Sequence, residues 1–286
     1  MSIRDLITKS LPKIEFGCKD KAAVRAVQAA LAKLGFYYGK IDGGFGKLTD
    51  GAVREFQTKQ GVSSDGEVGP VTAALLDMRT GVLPGTVPAP PADAQTFPYR
   101  NEYAVLWQTI EIKNFALLKS IDKVVAKLRM PDRWKEYTKL YEATGVPPQV
   151  TAVINERECG GNLKGVLHNG ELIVGTNRKT RLVPAGRGPF ATFFAAGVDA
   201  FRKEGLDTFD WQAGGPARVA YALEKFNGFG YRKRGIHSPY LWAATTHYVR
   251  GKFVSDGVYN ANAVDQQLGG MAILRRMMDL DPSLKF

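Results

Sequence analysis

Apolar residues recur at helical spacing through most of the chain, and the breaks between them define its parts. In "AAVRAVQAALAKLGF", Val24, Val27, Leu31 and Leu34 share one helical face, and Gly35 suits the C-terminal cap. A glycine-rich loop follows, "YYGKIDGGFGKLT", where Asp42-Gly43 and Gly46 signal tight turns. Thr49 can cap a second helix bearing Val53 and Phe56. The turn "SSDGEVGP" then leads to Pro70 at the first turn of a third helix, with Val71, Leu75 and Met78. The pattern predicts a three-helix module with two irregular loops, and no internal repeat stands out beyond its helix–loop–helix order.

Residues 81–98, "GVLPGTVPAPPADAQTFP", hold five prolines and little that could form a core, which reads as an extended, semi-rigid linker. It divides the chain into a small module, 1–80, and a larger domain, 99–286. In the larger domain, helical spacing predicts elements in "KNFALLKSIDKVVAKL", "DRWKEYTKLYEATG" and "PPQVTAVINERECGG", each bounded by proline or glycine. Residues 165–184, "GVLHNGELIVGTNRKTRLVP", are richer in β-branched residues, and "HNGE" supplies a turn for a short hairpin. Helical patterns resume in "PFATFFAAGVDAFRKEG", "PARVAYALEKF" and "VDQQLGGMAILRRMMDL". The fold class is mainly α, or α+β with helices dominant.

Composition narrows the partners. The 286 residues carry net charge +11, with 12 Lys and Arg against 9 Asp and Glu in residues 1–80 and 27 against 19 beyond. That excess favours an anionic partner: nucleic acid, an anionic membrane surface or an acidic wall polymer. No RNP-like aromatic motif, Cys/His finger spacing or basic helix with heptads is present, so no nucleic-acid partner is expected. No apolar run approaches a bilayer span, so no stable membrane insertion is expected either. The start, "MSIRDLITKSLPKIEF", lacks the apolar core of a signal peptide, which predicts a cytoplasmic protein unless something releases it. Cys18 and Cys159 are too few for a disulfide framework. A monomer is the default.

The chemistry centres on "NERECGGN", residues 155–162. Val150, Ile154 and Glu158 fall at i, i+4 and i+8, so Glu158 continues the stripe of buried aliphatics. Glu156 is turned from it by roughly 200°, toward a more solvated side. A carboxyl at the edge of a core is desolvated, its pKa rises, and it can hold the proton that a leaving glycosidic oxygen needs. The alternative is an ordinary helix-end glutamate paired with Arg157 or Lys164. Zinc hydrolysis would show a signature such as HExxH or an HxH pair, and none occurs, so no metal or other cofactor is predicted. A nucleophilic Cys159 is disfavoured because it stands at a helix C-terminus, where the dipole raises rather than lowers a thiol pKa.

Two resemblances sharpen this. The stretch "VRAVQAALAKLGFYYGKIDGGFGKLTDGAVREFQTKQGVSSDGEVGPVTAALL" resembles the peptidoglycan-binding domain of cell-wall hydrolases. Ligand contacts would then come from exposed loop groups and aromatics, with Tyr37, Tyr38 and Asp42 as candidates. "RECGGN" resembles the "RESGGN" segment around the catalytic glutamate of lysozyme-like glycosidases, including lytic transglycosylases and phage endolysins; Glu158 aligns with the acid, and Cys159 stands where serine is usual. "LHNGE", "VPAGRGPF", "AYALEKFNGFGY" and "SPYLWAATTHYVRGKFVSDG" are similar to segments of lysozyme-like endolysins.

The resemblance implies Glu171 as a second carboxylate on the hairpin; Thr180, on the returning strand, is a candidate to position a water or sugar, and His168 to line the cleft or help the turn. Asn227, Tyr231 and Tyr240 form an aromatic, amide-bearing cluster suited to sugar rings and acetamido groups. The resemblance implies an endolysin that cuts the glycan of bacterial peptidoglycan, hydrolytically or as a transglycosylase, and that is released from the host cytoplasm through a holin lesion. The competing expectation is a non-catalytic wall-binding virion protein.

Overall fold

The computed structural model describes residues 2–7, 11–82, 97–255 and 257–284. The chain is mostly helical, with one small antiparallel sheet among the described residues. It divides into two compact units, Met1–Thr109 and Ile110–Phe286. The proline-rich expectation for 81–98 falls largely on residues outside those described.

The first unit contains the three predicted helices, α2 (Lys21–Lys33), α3 (Lys47–Gln60) and α4 (Pro70–Thr80), flanked by α1 (Ile3–Leu6) and α5 (Arg100–Gln108). Residues 99–109 therefore belong with the small module and not with the larger domain. Val105 on α5 is buried in the core formed by Val24, Leu31, Val53, Phe56 and Leu75, and the Asn101 amide reaches the Gln60 carbonyl. Helix α1 is tied down by the Asp77 carboxylate, which accepts the Ile3 and Arg4 amides at 2.8 Å each. Each fully buried aliphatic side chain contributes about 1.5–3 kcal/mol.

The two loops repeat one device, which corrects the expectation of no internal repeat. "DGGFGKLT" (42–49) and "DGEVGPVT" (65–72) each wrap around a buried glutamine of the preceding helix. The Gln28 amide nitrogen lies 3.0–3.2 Å from Tyr37 Oη, Asp42 Oδ1, the Gly44 carbonyl and Thr49 Oγ1, while its oxygen accepts the Gly43 amide. The Gln57 nitrogen lies 2.8–3.1 Å from Asp65 Oδ1, the Glu67 carbonyl and Thr72 Oγ1, while its oxygen accepts the Gly66 amide. Both turn glycines have positive φ, and a Cβ on Gly43 would sit 2.7 Å from the Lys21 carbonyl oxygen. Thr49 consequently serves its loop; the N-cap of α3 is Gly46.

The second unit packs α6 (Phe115–Leu128), α7 (Pro131–Thr144), α9 (Phe193–Glu204), α10 (Gly215–Asn227), α11 (Pro239–Trp242) and α12 (Gly270–Leu280) about α8 (Pro148–Cys159). Helix α8 touches α6, α7 and α12, and every residue from Gln149 to Asn155 is buried. Such a helix is buried all round. Gly270 allows the close approach of α12, since a Cβ there would lie 2.7 Å from Val153 Cγ1. Pro148 starts α8, and Gly160, at φ 59°, ends it.

The predicted hairpin at 165–184 reduces to one antiparallel bridge, Gly165 to Leu172. The Val174 amide still meets the Lys164 carbonyl, but from Gly175 on, amides turn to a later loop: Gly175 to the Phe190 carbonyl and Thr180 to that of Arg187. The sheet lies elsewhere, as β1 (Lys252–Ser255) paired with β2 (Val258–Asn260). Its signal was in the sequence, as β-branched and aromatic residues around Asp256-Gly257.

Candidate active site

The end of α8 presents its two glutamates to different partners. Glu156 forms an ion pair with Lys127 at 2.6 Å and is partly exposed. Glu158 Oε1 accepts a hydrogen bond of 2.8 Å from the buried Tyr240 hydroxyl. Burial pushes the Glu158 carboxyl up from its ordinary value, against the smaller opposing effects of Tyr240 and of the Arg157 charge. Burial and the neighbouring Glu158 also raise Tyr240, so it remains a donor.

Arg157 does not pair with either glutamate. Its guanidinium bonds buried Asp265 at 3.0 Å and the Leu268 carbonyl at 3.1 Å, and it lies 4.7 Å from the Tyr240 ring centroid. Asp265 also receives Lys252 Nζ at 2.8 Å. Burial raises the Asp265 carboxyl, but Lys252 and Arg157 together hold it below its ordinary value. This trio fixes the segment after the hairpin to the acid-bearing helix. Sequence reading missed it because 108 residues separate Arg157 from Asp265.

A cavity of about 430 Å³ opens beside these groups, within the range of small-ligand sites. Arg157, Tyr240, Asn227, Tyr231, Lys252 and Phe253 are among its walls, whereas Glu158 is not; Tyr240 is shared between acid and cavity. Asn227 is exposed, with its amide 3.4 Å from Ser238 Oγ. The Tyr231 hydroxyl accepts the Phe253 amide at 3.1 Å, and its ring meets Phe253 edge-on. Tyr231 and Tyr240 are thus buried walls rather than exposed stacking platforms.

The other sequence-derived candidates have structural partners. Glu171 accepts the Arg181 amide at both oxygens, 2.9 and 2.8 Å, and the Leu182 amide at 2.8 Å. Those backbone bonds, Leu182 first, hold its carboxyl below the ordinary range. Thr180 is buried. Its hydroxyl donates to the Pro184 carbonyl and accepts the Arg187 amide, so it is spent on bracing its own loop rather than placing a water or sugar.

His168 lies beneath the surface rather than in a cleft. Its Nε2 is 2.7 Å from Asp199 Oδ2 and its ring stacks on Phe190. Burial lowers its pKa despite Asp199. The Cys159 thiol, 3.4 Å from the Val166 carbonyl, is pushed up to about 12 by burial and then by Glu158, which makes it a poor nucleophile.

In the first unit Tyr37 is a core residue whose hydroxyl donates to the Lys40 carbonyl, not an exposed contact. Tyr38 is 91% exposed. Asp42 is exposed too, but its Oδ1 is held by the Gly44 amide and Gln28, bonds that lower its pKa.

Residues 20–76 match the family model described as "Putative peptidoglycan binding domain". The chain carries a peptidoglycan-binding module. The module's two glutamine-clamped loops lie within the matched residues. The chain is also 38% identical over 65 residues to the N-acetylmuramoyl-L-alanine amidase CwlM of Mycobacterium tuberculosis, covering 23% of this chain and 16% of that protein. It is 45% identical over 67 residues to an uncharacterized protein in the bpoA1 3' region of Kitasatospora aureofaciens, covering 23% of this chain and 55% of that one. The chain thus spans less than two thirds of either relative. No solved structure matches. Among the described residues no helix is long and apolar enough to cross a membrane, and no three His, Cys, Asp or Glu residues group as metal ligands.

Proposed function

We propose that the second unit is a glycosidase that cuts the β-1,4 glycan of peptidoglycan at MurNAc–GlcNAc bonds, with Glu158 as the general acid. The observation that carries this is the Glu158 carboxyl, raised in pKa by desolvation and held by Tyr240, whose side chain also walls a sugar-sized cavity. A protonated carboxylic acid at neutral pH is the donor that a glycosidic oxygen needs as it leaves. Glu171 is driven the other way by backbone amides, and carboxyls with opposed shifts are a signature of acid and charge-stabiliser roles. The peptidoglycan-binding module would hold the enzyme on its polymer and raise local substrate concentration.

One observation favours a transglycosylase variant. Both Glu171 oxygens are engaged by amides, and the intramolecular route, in which the sugar's C6 hydroxyl attacks, needs only Glu158. The proposal extends to a phage endolysin, released from the host cytoplasm through a membrane lesion for host lysis. The test is mass spectrometry of the fragments released from purified peptidoglycan. Reducing MurNAc ends support hydrolysis, and 1,6-anhydro ends support transglycosylation. Release of free stem peptides with intact glycan would overturn both in favour of an amidase.

A further inference from the structure

The loop that Glu171 anchors has a character the glycosidase reading does not use. Residues 172–190 contain Arg178, Lys179, Arg181 and Arg187 and no aspartate or glutamate. Arg187 is neutralised by Asp199. Arg178, Lys179 and Arg181 are exposed, and none of the three forms an ion pair among the described residues. At the tip of this basic loop stand Leu182, 59% exposed, and Val183, 78% exposed.

Two aliphatic side chains held in water, with three cations beside them, are not explained by the packing of the unit. The tip is also built rather than loose. The Glu171 carboxylate takes the Arg181 and Leu182 amides, Asn169 Nδ2 donates to the Leu182 carbonyl, and Thr180 ties both sides of the loop.

We propose that this loop is a peripheral docking site for an anionic lipid bilayer. Arg178, Lys179 and Arg181 would meet phosphate headgroups while Leu182 and Val183 enter the headgroup–acyl boundary. Charge complementarity selects an anionic partner, and the aliphatic tip selects a lipid surface over a soluble polyanion, which offers nothing for Leu182 and Val183 to enter. The contact is interfacial and involves no spanning element. It stands independently of the glycosidase proposal and would keep the protein at the membrane face of the wall.

Cosedimentation of the full-length protein with vesicles tests it. Phosphatidylcholine vesicles containing phosphatidylglycerol should bind the protein, and pure phosphatidylcholine vesicles should not. Each cation near the surface is worth about fivefold in partitioning (~1 kcal/mol), so Arg178→Gln/Lys179→Gln/Arg181→Gln should lose about a hundredfold. Leu182→Ser/Val183→Ser should lose at least about tenfold, given the apolar area withdrawn from water. Removing three exposed cations elsewhere, as Lys123→Gln/Lys135→Gln/Arg202→Gln, should cost less than the loop charges. All these positions are exposed, and thermal unfolding checks that each variant is folded.

Equal binding to both vesicle types would overturn the proposal. So would loss of binding equal to that of the control triple variant. If the serine variant binds anionic vesicles as well as the wild type, the loop reads only charge, its partner is a polyanion, and the lipid proposal fails.

Discussion

Tyr240→Phe isolates the hydrogen bond on which the acid's behaviour rests. The hydroxyl of buried Tyr240 donates to Glu158 Oε1 at 2.8 Å, and the substitution removes one oxygen while keeping the ring under Arg157. A hydrogen bond to an ionised group contributes about 1.5–3 kcal/mol, and one between neutral groups about 0.5–1.5 kcal/mol. The ionised form of Glu158 therefore loses about 1–1.5 kcal/mol more than the protonated form does. A tenfold change in proton affinity corresponds to about 1.4 kcal/mol, so the carboxyl should bind its proton up to about tenfold more tightly.

A general acid works only while protonated, so the alkaline limb of kcat/KM for peptidoglycan solubilisation should move upward by about one pH. Turnover at the optimum should fall less than tenfold, because the acid itself remains. A limb that stays in place or moves down would refute the reasoning. The titrating group would then be another residue, or Tyr240 would not hold Glu158 in the working enzyme.

The remaining predictions use the same geometry. Glu158 holds its proton more tightly folded than unfolded, so its contribution to stability is fully present below the ordinary carboxylate range and is lost as pH rises through its raised value. Glu158→Gln should therefore melt higher than the wild type at about pH 8 and equally near pH 3, below both values, by calorimetry. Asp265→Asn leaves Arg157 and Lys252 without their shared carboxylate; breaking a buried pair costs about 3–5 kcal/mol, and Tm of the second unit should drop by roughly 6–20 °C. Gln28→Ala removes the side chain that gathers the first loop. It should weaken pull-down on purified wall and lower the first unit's melting, while Glu158→Gln should leave pull-down unchanged.

The helices were legible because proline and glycine bound them and apolar residues repeat between them. Their environment was less so. Spacing placed Glu158 on the buried stripe of α8, but that helix is enclosed on nearly every side, and what separates Glu158 from Glu156 is the partner each meets: Tyr240, 82 residues on, and Lys127 from α6. Contacts at such separation leave no local pattern. The hairpin was overextended because "HNGE" does turn the chain, with the Val166 and Val174 amides pairing across it, but the Gly175 and Thr180 amides find partners in residues 187–190. The repeat of Gln28 and Gln57 was readable as "DGxxGxxT" after a helical glutamine; six extra residues between glutamine and Asp42 in the first loop disguise it. Tyr37, His168 and Thr180 show a different limit, since the residue types that bind sugars also fill cores and brace loops.

The central claim is that Glu158 supplies the proton for glycan cleavage. Its most direct test is the rate at which Glu158→Gln releases soluble fragments from purified peptidoglycan, measured alongside wall pull-down and melting. General acid catalysis is worth about 10²–10⁴-fold, and the account predicts a loss of that size with wall binding and folding intact. Wild-type release by the variant would contradict it.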